Sequence, residues 1–242
     1  MTSAQFAAVA CVVMFASFVQ VTAGFGFGLL AVPVMTLAIE PRTAIVVATL
    51  LGICGNTWQT VHLRRFVDHA AARRMIVAAY LGMPLGLLVL VAVDDDVLRL
   101  LLGIAVLISV VLLARRVDVD HIGPSLEFGG GFLSGVLNTS LSTNGPPLVF
   151  VLQARGLAPD PFRATISRVF AWCNIGAIVG FIAAGKVTRD GVIAAAIALP
   201  AMLFGQLIGM PLRRHVHGDR MRWLVLILLT LAGISAIVAA FR

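Results

Sequence analysis

The chain has 242 residues, of which 60% are hydrophobic and only 12% charged, and its mean hydropathy is +1.02. No soluble domain of this size carries so much apolar surface, so the class is an all-α polytopic membrane protein. The formal charge of +7 does not signal nucleic acid, because the 18 Lys and Arg sit in connections between apolar runs, where the positive-inside rule explains them.

The first apolar run, Phe6 to Thr22, has no basic residue before it and no small-residue cleavage site, and reads as retained structure rather than a signal peptide. Others follow at Gly28 to Ile39, Ala44 to Val61, Met75 to Val93, Val97 to Ala114, Leu126 to Leu137, Pro147 to Leu152, Ala164 to Ala184, Val192 to Leu212 and Trp223 to Phe241. Six are long enough to cross a bilayer, which takes about 20 residues. Shorter runs such as Gly28 to Ile39 and Leu126 to Leu137 are expected to be half-helices.

Two breaks interrupt these runs. The first is Gly24-Phe25-Gly26-Phe27-Gly28, with Pro33 five residues on. In the second, Asn138, Thr139, Ser140, Ser142, Thr143 and Asn144 compete for backbone hydrogen bonds and Gly145 loosens the chain. Pro146 and Pro147 then forbid a helix before them and favour one after. Non-helical backbone at membrane depth is tolerated only where it is buried in protein or lines a cavity, and two such breaks in corresponding places point to a transport site. Helices restarting after Gly28 and at Pro146 would aim free N–H groups and positive dipole ends into the gap, which favours an anion. The expected substrate-binding residues are therefore Gly24, Gly26, Gly28, Asn138, Ser140, Ser142, Thr143, Asn144, Gly145 and Pro146, with Asn56 and Asn174 as walls. Gly24 to Gly28 lacks the spacing and βαβ context of a dinucleotide fingerprint.

The second half of the chain repeats the first. Gly82 and Gly86 fall on Gly205 and Gly209, Asp96 on Asp219 and Arg99 on Arg222 at one constant offset, and Arg42 falls on Arg163 at an offset two residues smaller. Residues 1–116 and 117–242 each read as one repeat, a broken segment followed by three long helices, within one transmembrane domain. The spaced glycines are expected to let helices pack closely. Charge orients the repeats: if each broken segment is one crossing, the basic residues divide 9 against 9. If each is a hairpin entering and leaving on one side, Arg64, Arg65, Arg73, Arg74, Arg115, Arg116, Arg155, Arg163, Arg168, Arg213, Arg214, Arg220 and Arg222 share a side, 13 against 5. The rule favours the hairpins, hence two inverted repeats with both termini outside the cytoplasm.

Several chemistries lack their parts. Cys11, Cys54 and Cys173 lie inside apolar runs with no metal or disulfide spacing. All 11 Asp and Glu and all five His fall in connections or at helix ends, so a proton relay, an enzyme, a metal site and a cofactor are not expected. Asp94, Asp95 and Asp96 read as a solvated loop cap. Arg168, more than a turn inside its helix, either snorkels to the surface or meets an entering anion.

The Gly24 to Gly28 run with Pro33, Gly131-Phe132-Leu133-Ser134-Gly135 leading to Gly145-Pro146-Pro147, and the Gly82/Gly86 pair resemble the TauE/SafE family, the sulfite exporters, over essentially the full length. The resemblance implies a multi-pass permease of the cytoplasmic membrane that moves sulfite, sulfonates or related small carboxylates. Its partners would be that anion and membrane lipid, with no nucleic acid and with a homodimer left open. Where many relatives carry a Gly-rich second break, this chain has Asn138 to Asn144, which makes its cavity more polar. The alternatives are an accessory or assembly subunit that carries nothing, and an anion channel.

Overall fold

The structure, a computed structural model, describes residues 1–23, 26–114, 123–212 and 219–241. Described secondary structure is helical: α1 (Ser3–Ala23), α2 (Phe27–Met35), α3 (Pro41–His62), a 3-10 turn (Arg64–Phe66), α4 (His69–Ala92), α5 (Asp95–Ala114), α6 (Pro124–Leu141), α7 (Gly145–Ala154), α8 (Pro159–Ala183), α9 (Arg189–Leu212) and α10 (Asp219–Ala240). Among the described residues seven helices are long and apolar enough to cross a membrane, one more than the six runs counted from sequence. The addition is α1. A reciprocal cap, in which Thr2 N–H donates to Gln5 Oε1 (2.8 Å) and Gln5 N–H to Thr2 Oγ1 (3.3 Å), starts that helix ahead of its apolar run.

Each half thus contains a long helix, a break, a short helix and three long helices. The short ones are α2, with 9 residues, and α7, with 10. Leu126 to Leu137, expected to be a half-helix, instead belongs to the 18-residue α6. Pro124 starts α6 upstream of the apolar run, and Asn138, Thr139 and Ser140, expected to break the helix, stay inside it. The hydroxyls of Thr139 and Ser140 donate to the carbonyls four residues back, at Gly135 (3.1 Å) and Val136 (2.7 Å), so they find partners without breaking the helix.

Both breaks turn the chain back on itself. Gln5 Nε2 donates to the Ala38 carbonyl (2.8 Å), so the end of α2 stands beside the start of α1. Arg155 donates to Glu127 (2.7 Å), which puts the end of α7 beside the start of α6. These mouths lie at opposite ends of α3: Pro41 follows directly on the first, and Asp68, past the other end, accepts from Arg155 (2.7 Å) at the second.

The remaining packing follows the glycines. On the face that α4 turns to α6, a Cβ at Gly82 or Gly86 would overlap the Phe132 or Val136 carbonyl, and one at Gly131 or Gly135 would overlap the backbone of Met75 or Ala79. On the face that α9 turns to α1, Gly205 meets the Met14 carbonyl and Gly209 meets that of Phe18. The expected packing role of these glycines is thereby observed. Helices α3 and α8 pack against each other, as do α5 and α10. Large apolar side chains such as Leu81, Leu88, Ile108, Val179, Leu207 and Leu231 stay exposed on the outer surface, the pattern of a bundle solvated by lipid.

Candidate functional site

The two breaks meet. A Cβ at Gly28 would overlap the Ser142 carbonyl oxygen, so the first break touches the second only because residue 28 has no side chain. At this junction lies a small cavity lined by Gln20, Gly26, Phe27, Gly28, Leu29, Ala48, Gly52, Asn56, Ser142, Thr143, Asn144, Gly145, Phe170 and Asn174. No charged side chain and no histidine is in that lining.

Eight expected site residues therefore come together: Gly26, Gly28, Asn56, Ser142, Thr143, Asn144, Gly145 and Asn174. Three do not line the space. Asn138 is wholly buried in α6 with neither side-chain atom hydrogen-bonded, Ser140 is tied to Val136, and Pro146 is buried in the first turn of α7. Asn138 and Ser140 miss the lining because α6 runs four residues further, to Leu141, than the half-helix expected to end at Leu137. Gly24 lies outside the described residues.

Helix geometry gives the cavity its polarity. Gly26 enters α2 with φ +101°, and neither α2 nor α7 has a side-chain cap at its N-terminus. The start of α2 presents ordinary backbone donors. In the first turn of α7, Gly145 keeps an N–H whereas Pro146 and Pro147 have none, so there the expectation of a full set of free N–H groups needs correcting. Side chains supply what the prolines withhold: Thr143 Oγ1 and Asn144 Nδ2 are buried without a hydrogen-bond partner. Ser142 adopts φ +54°, its hydroxyl lies 3.0 Å from that of Thr49, and Ser134 donates to the Asn144 carbonyl (3.0 Å).

Gln20, Thr49 and Gly52 were not expected here. Gln20 Nε2 donates to Asn56 Oδ1 (3.3 Å), which leaves the Asn56 amide hydrogens free. A Cβ at Gly52 would lie 2.5 Å from Asn174 Nδ2 and 3.7 Å from Asn56 Nδ2, so both amides converge over a position with no side chain. The site is thus rich in neutral donors, with two positive helix ends and no counter-charge, a composition suited to a small oxyanion. The cavity is small: the space open to the centre of a water molecule is about 30 Å³.

The sulfite exporter TauE/SafE family matches residues 9–236. Among curated proteins the chain is similar to the "Probable sulfite/organosulfonate exporter TauE" of Cupriavidus necator, 23% identical over 200 residues, which cover 80% of this chain and 78% of that protein. It is also similar to the "Probable inner membrane transporter protein TsaS" of Comamonas testosteroni, 32% identical over 107 residues, 44% of this chain and 45% of that protein. No solved structure matches the chain. With the family matched from α1 to α10, this multi-pass membrane protein belongs to the sulfite exporter TauE/SafE family of transporters.

Proposed function

We propose that the chain is a permease of the cytoplasmic membrane that moves small anionic sulfur-containing or organic compounds, namely sulfite, sulfonates or related carboxylates, outward by alternating access. The observation that carries this reading is the contact of Gly28 with Ser142, which brings two helix N-termini to one cavity lined by neutral donors. The exporter function named for the Cupriavidus necator relative supports the cargo class. An inside-negative potential drives an anion outward with about 2.3 kcal/mol per charge per 100 mV, so export needs no coupling ion and no intramembrane carboxylate.

Residues 1–116 and 117–242 form two inverted repeats in this reading. Exchanging the halves exchanges α1 with α6 and α4 with α9, and the pairing of α1 with α9 then becomes that of α6 with α4, while α3–α8 and α5–α10 map onto themselves. The hairpin mouths at opposite ends of α3 support the same arrangement. In this reading the small cavity widens before an anion of this class enters. The paired glycines between α1 and α9 and between α4 and α6 are sites where one repeat can slide on the other.

The test is anion flux into liposomes holding the purified protein, with sulfite, sulfonates and small carboxylates offered under an imposed potential. Saturable, potential-driven movement of one of them is expected. Flux without saturation would instead make the protein a channel, and no flux from folded protein would make it an accessory subunit.

A further inference from the structure

We propose that the groove between α4 and α8 binds one anionic phospholipid, with its phosphate held by Arg73 and Arg168. This site is separate from the cavity at the helix breaks, and the inference does not rest on the permease reading.

The groove has a volume of about 480 Å³ and is open to the outer surface. Two cations sit at one level in it. Asp68, the N-cap of α4, donates its N–H to Thr165 Oγ1 in α8 (3.0 Å), which fixes the register of two helices that run in the same direction from that end. Arg73 lies five residues beyond Asp68 and Arg168 three beyond Thr165. At 1.5 Å per residue their Cα atoms differ in depth by about 3 Å.

Neither arginine has an ion pair or hydrogen bond among the described residues, in contrast to Arg74 and Arg155, which both bind Glu127. Beyond the cations the lining turns apolar and aromatic, with Ile76, Val77, Tyr80 and Trp172. Tyr80 donates to the Trp172 carbonyl (3.0 Å), and its ring fits against Gly176, where a Cβ would come within 2.7 Å of Tyr80 Cε1. Trp172 stays 46% exposed.

Unneutralised cations level with the second turn of α4, followed towards the membrane interior by an aromatic and aliphatic wall, match the order of parts in a phospholipid. A soluble anion would use the cations but leave the wall without a role. A basic pocket between transmembrane helices is the setting in which anionic headgroups bind.

The experiment is native mass spectrometry of the full-length protein in detergent, titrated with phosphatidylglycerol or phosphatidylcholine of equal chain length, and with glycerol phosphate as a soluble competitor. One phosphatidylglycerol should bind in preference to phosphatidylcholine. The R73Q/R168Q double variant should weaken it about thirtyfold, R73K/R168K should largely retain it, and R64Q/R65Q, on the same face outside the groove, should leave it unchanged. If the double variant unfolds, the single variants Arg73→Gln and Arg168→Gln carry the test, each with about a fivefold loss. Unchanged phosphatidylglycerol binding in R73Q/R168Q, an equal loss in R64Q/R65Q, equal affinity for phosphatidylcholine, or displacement by glycerol phosphate at the lipid's own concentration would each overturn the proposal.

Discussion

The hydroxyls of Ser142 and Thr49 lie 3.0 Å apart, joining the second break to the middle of α3 while Ser142 holds the left-handed backbone that side chains disfavour. Among the described residues Ser142 is the one non-glycine with positive φ. Left-handed backbone costs such a residue about 1–2 kcal/mol, and the hydroxyl contact helps to hold it there. Ser142→Ala should therefore lower thermal stability by about 1 kcal/mol, because it loses the contact and keeps the strain. Ser142→Gly loses the same contact but relieves the strain, and should melt above Ser142→Ala. Equal melting of the two would show that the backbone conformation at 142 is not strained.

Thr143 and Asn144 make the opposite case. Their Oγ1 and Nδ2 atoms are buried with no protein partner, so the fold bears their desolvation and gains no hydrogen bond in return. Thr143→Val should leave thermal stability unchanged or raise it while weakening the transported anion. The loss of one donor in a dry site is worth about 1–3 kcal/mol, or about five- to 150-fold in apparent affinity. Asn144→Ala should act in the same direction. Saturation curves from liposome flux set beside melting curves give both quantities, and a matched loss of stability and affinity would assign these groups to packing.

Glycines at the junction differ in what they tolerate. At Gly145 a Cβ would meet Leu29 and Phe170 at 3.8 Å, ordinary contact, so Gly145→Ala should fold and retain flux, whereas Gly145→Leu should fill the cavity and abolish transport. Gly28→Ala has no such room beside Ser142, and overpacking at this point should cost about 1–3 kcal/mol or more in stability. Normal melting and flux in Gly28→Ala would mean that the two breaks do not touch.

The breaks were legible in the sequence because glycine, proline and clustered hydroxyl and amide side chains are the residues that stop a helix, and six of the residues they suggested line one cavity with the two expected wall residues, Asn56 and Asn174. Their limits were less legible. Ser140 satisfies itself inside α6, and Thr139 shares its hydroxyl between the Gly135 carbonyl and that of Met83 in α4 (2.8 Å), which a list of helix-breaking residues does not reveal. Gln20 went unnoticed as one polar residue in a long apolar run, and its meaning appears only when α1 places it against Asn56, 36 residues away. Gly52 left no signal either, since a glycine in an apolar helix reads as packing until two amides are found above it. Pro146 and Pro147 could have been read better from sequence, because their missing N–H groups are a matter of composition alone.

At the mouth of the second hairpin, Glu127 is nearly buried between Arg74 and Arg155, and Arg155 also holds Asp68. Glu127→Ala removes a carboxylate shared by two partly exposed guanidiniums that can turn to water, so a loss of about 1–3 kcal/mol is expected rather than the larger cost of a fully buried pair. Asp68 adds a pH dependence. The Ala71 backbone N–H donating to its carboxylate, with Arg155 beside it, holds its pKa below the ordinary value against the opposing effect of partial burial. A depressed carboxylate pKa stabilises the fold above the unfolded value and loses that contribution as pH falls through the folded one. Melting temperature should thus fall as the pH drops below about 4, and Asp68→Asn should flatten part of that fall. An unchanged acid slope in Asp68→Asn would remove Asp68 from the acid response.

Orientation in the membrane follows from the same hairpins. If each enters and leaves on one side, the loop at Lys186 and the 3-10 turn at Arg65 lie on opposite faces, and the basic excess puts Arg65 inside the cell. In a chain whose Cys11, Cys54 and Cys173 are replaced by Ala, Lys186→Cys should react with a membrane-impermeant maleimide on intact cells, and Arg65→Cys only after lysis. A reversed pattern would invert the protein and put the groove of Arg73 and Arg168 in the outer leaflet. Labelling of both from outside would be incompatible with the three crossings, α4, α5 and α8, that the hairpins leave between them, and would end the inverted-repeat reading.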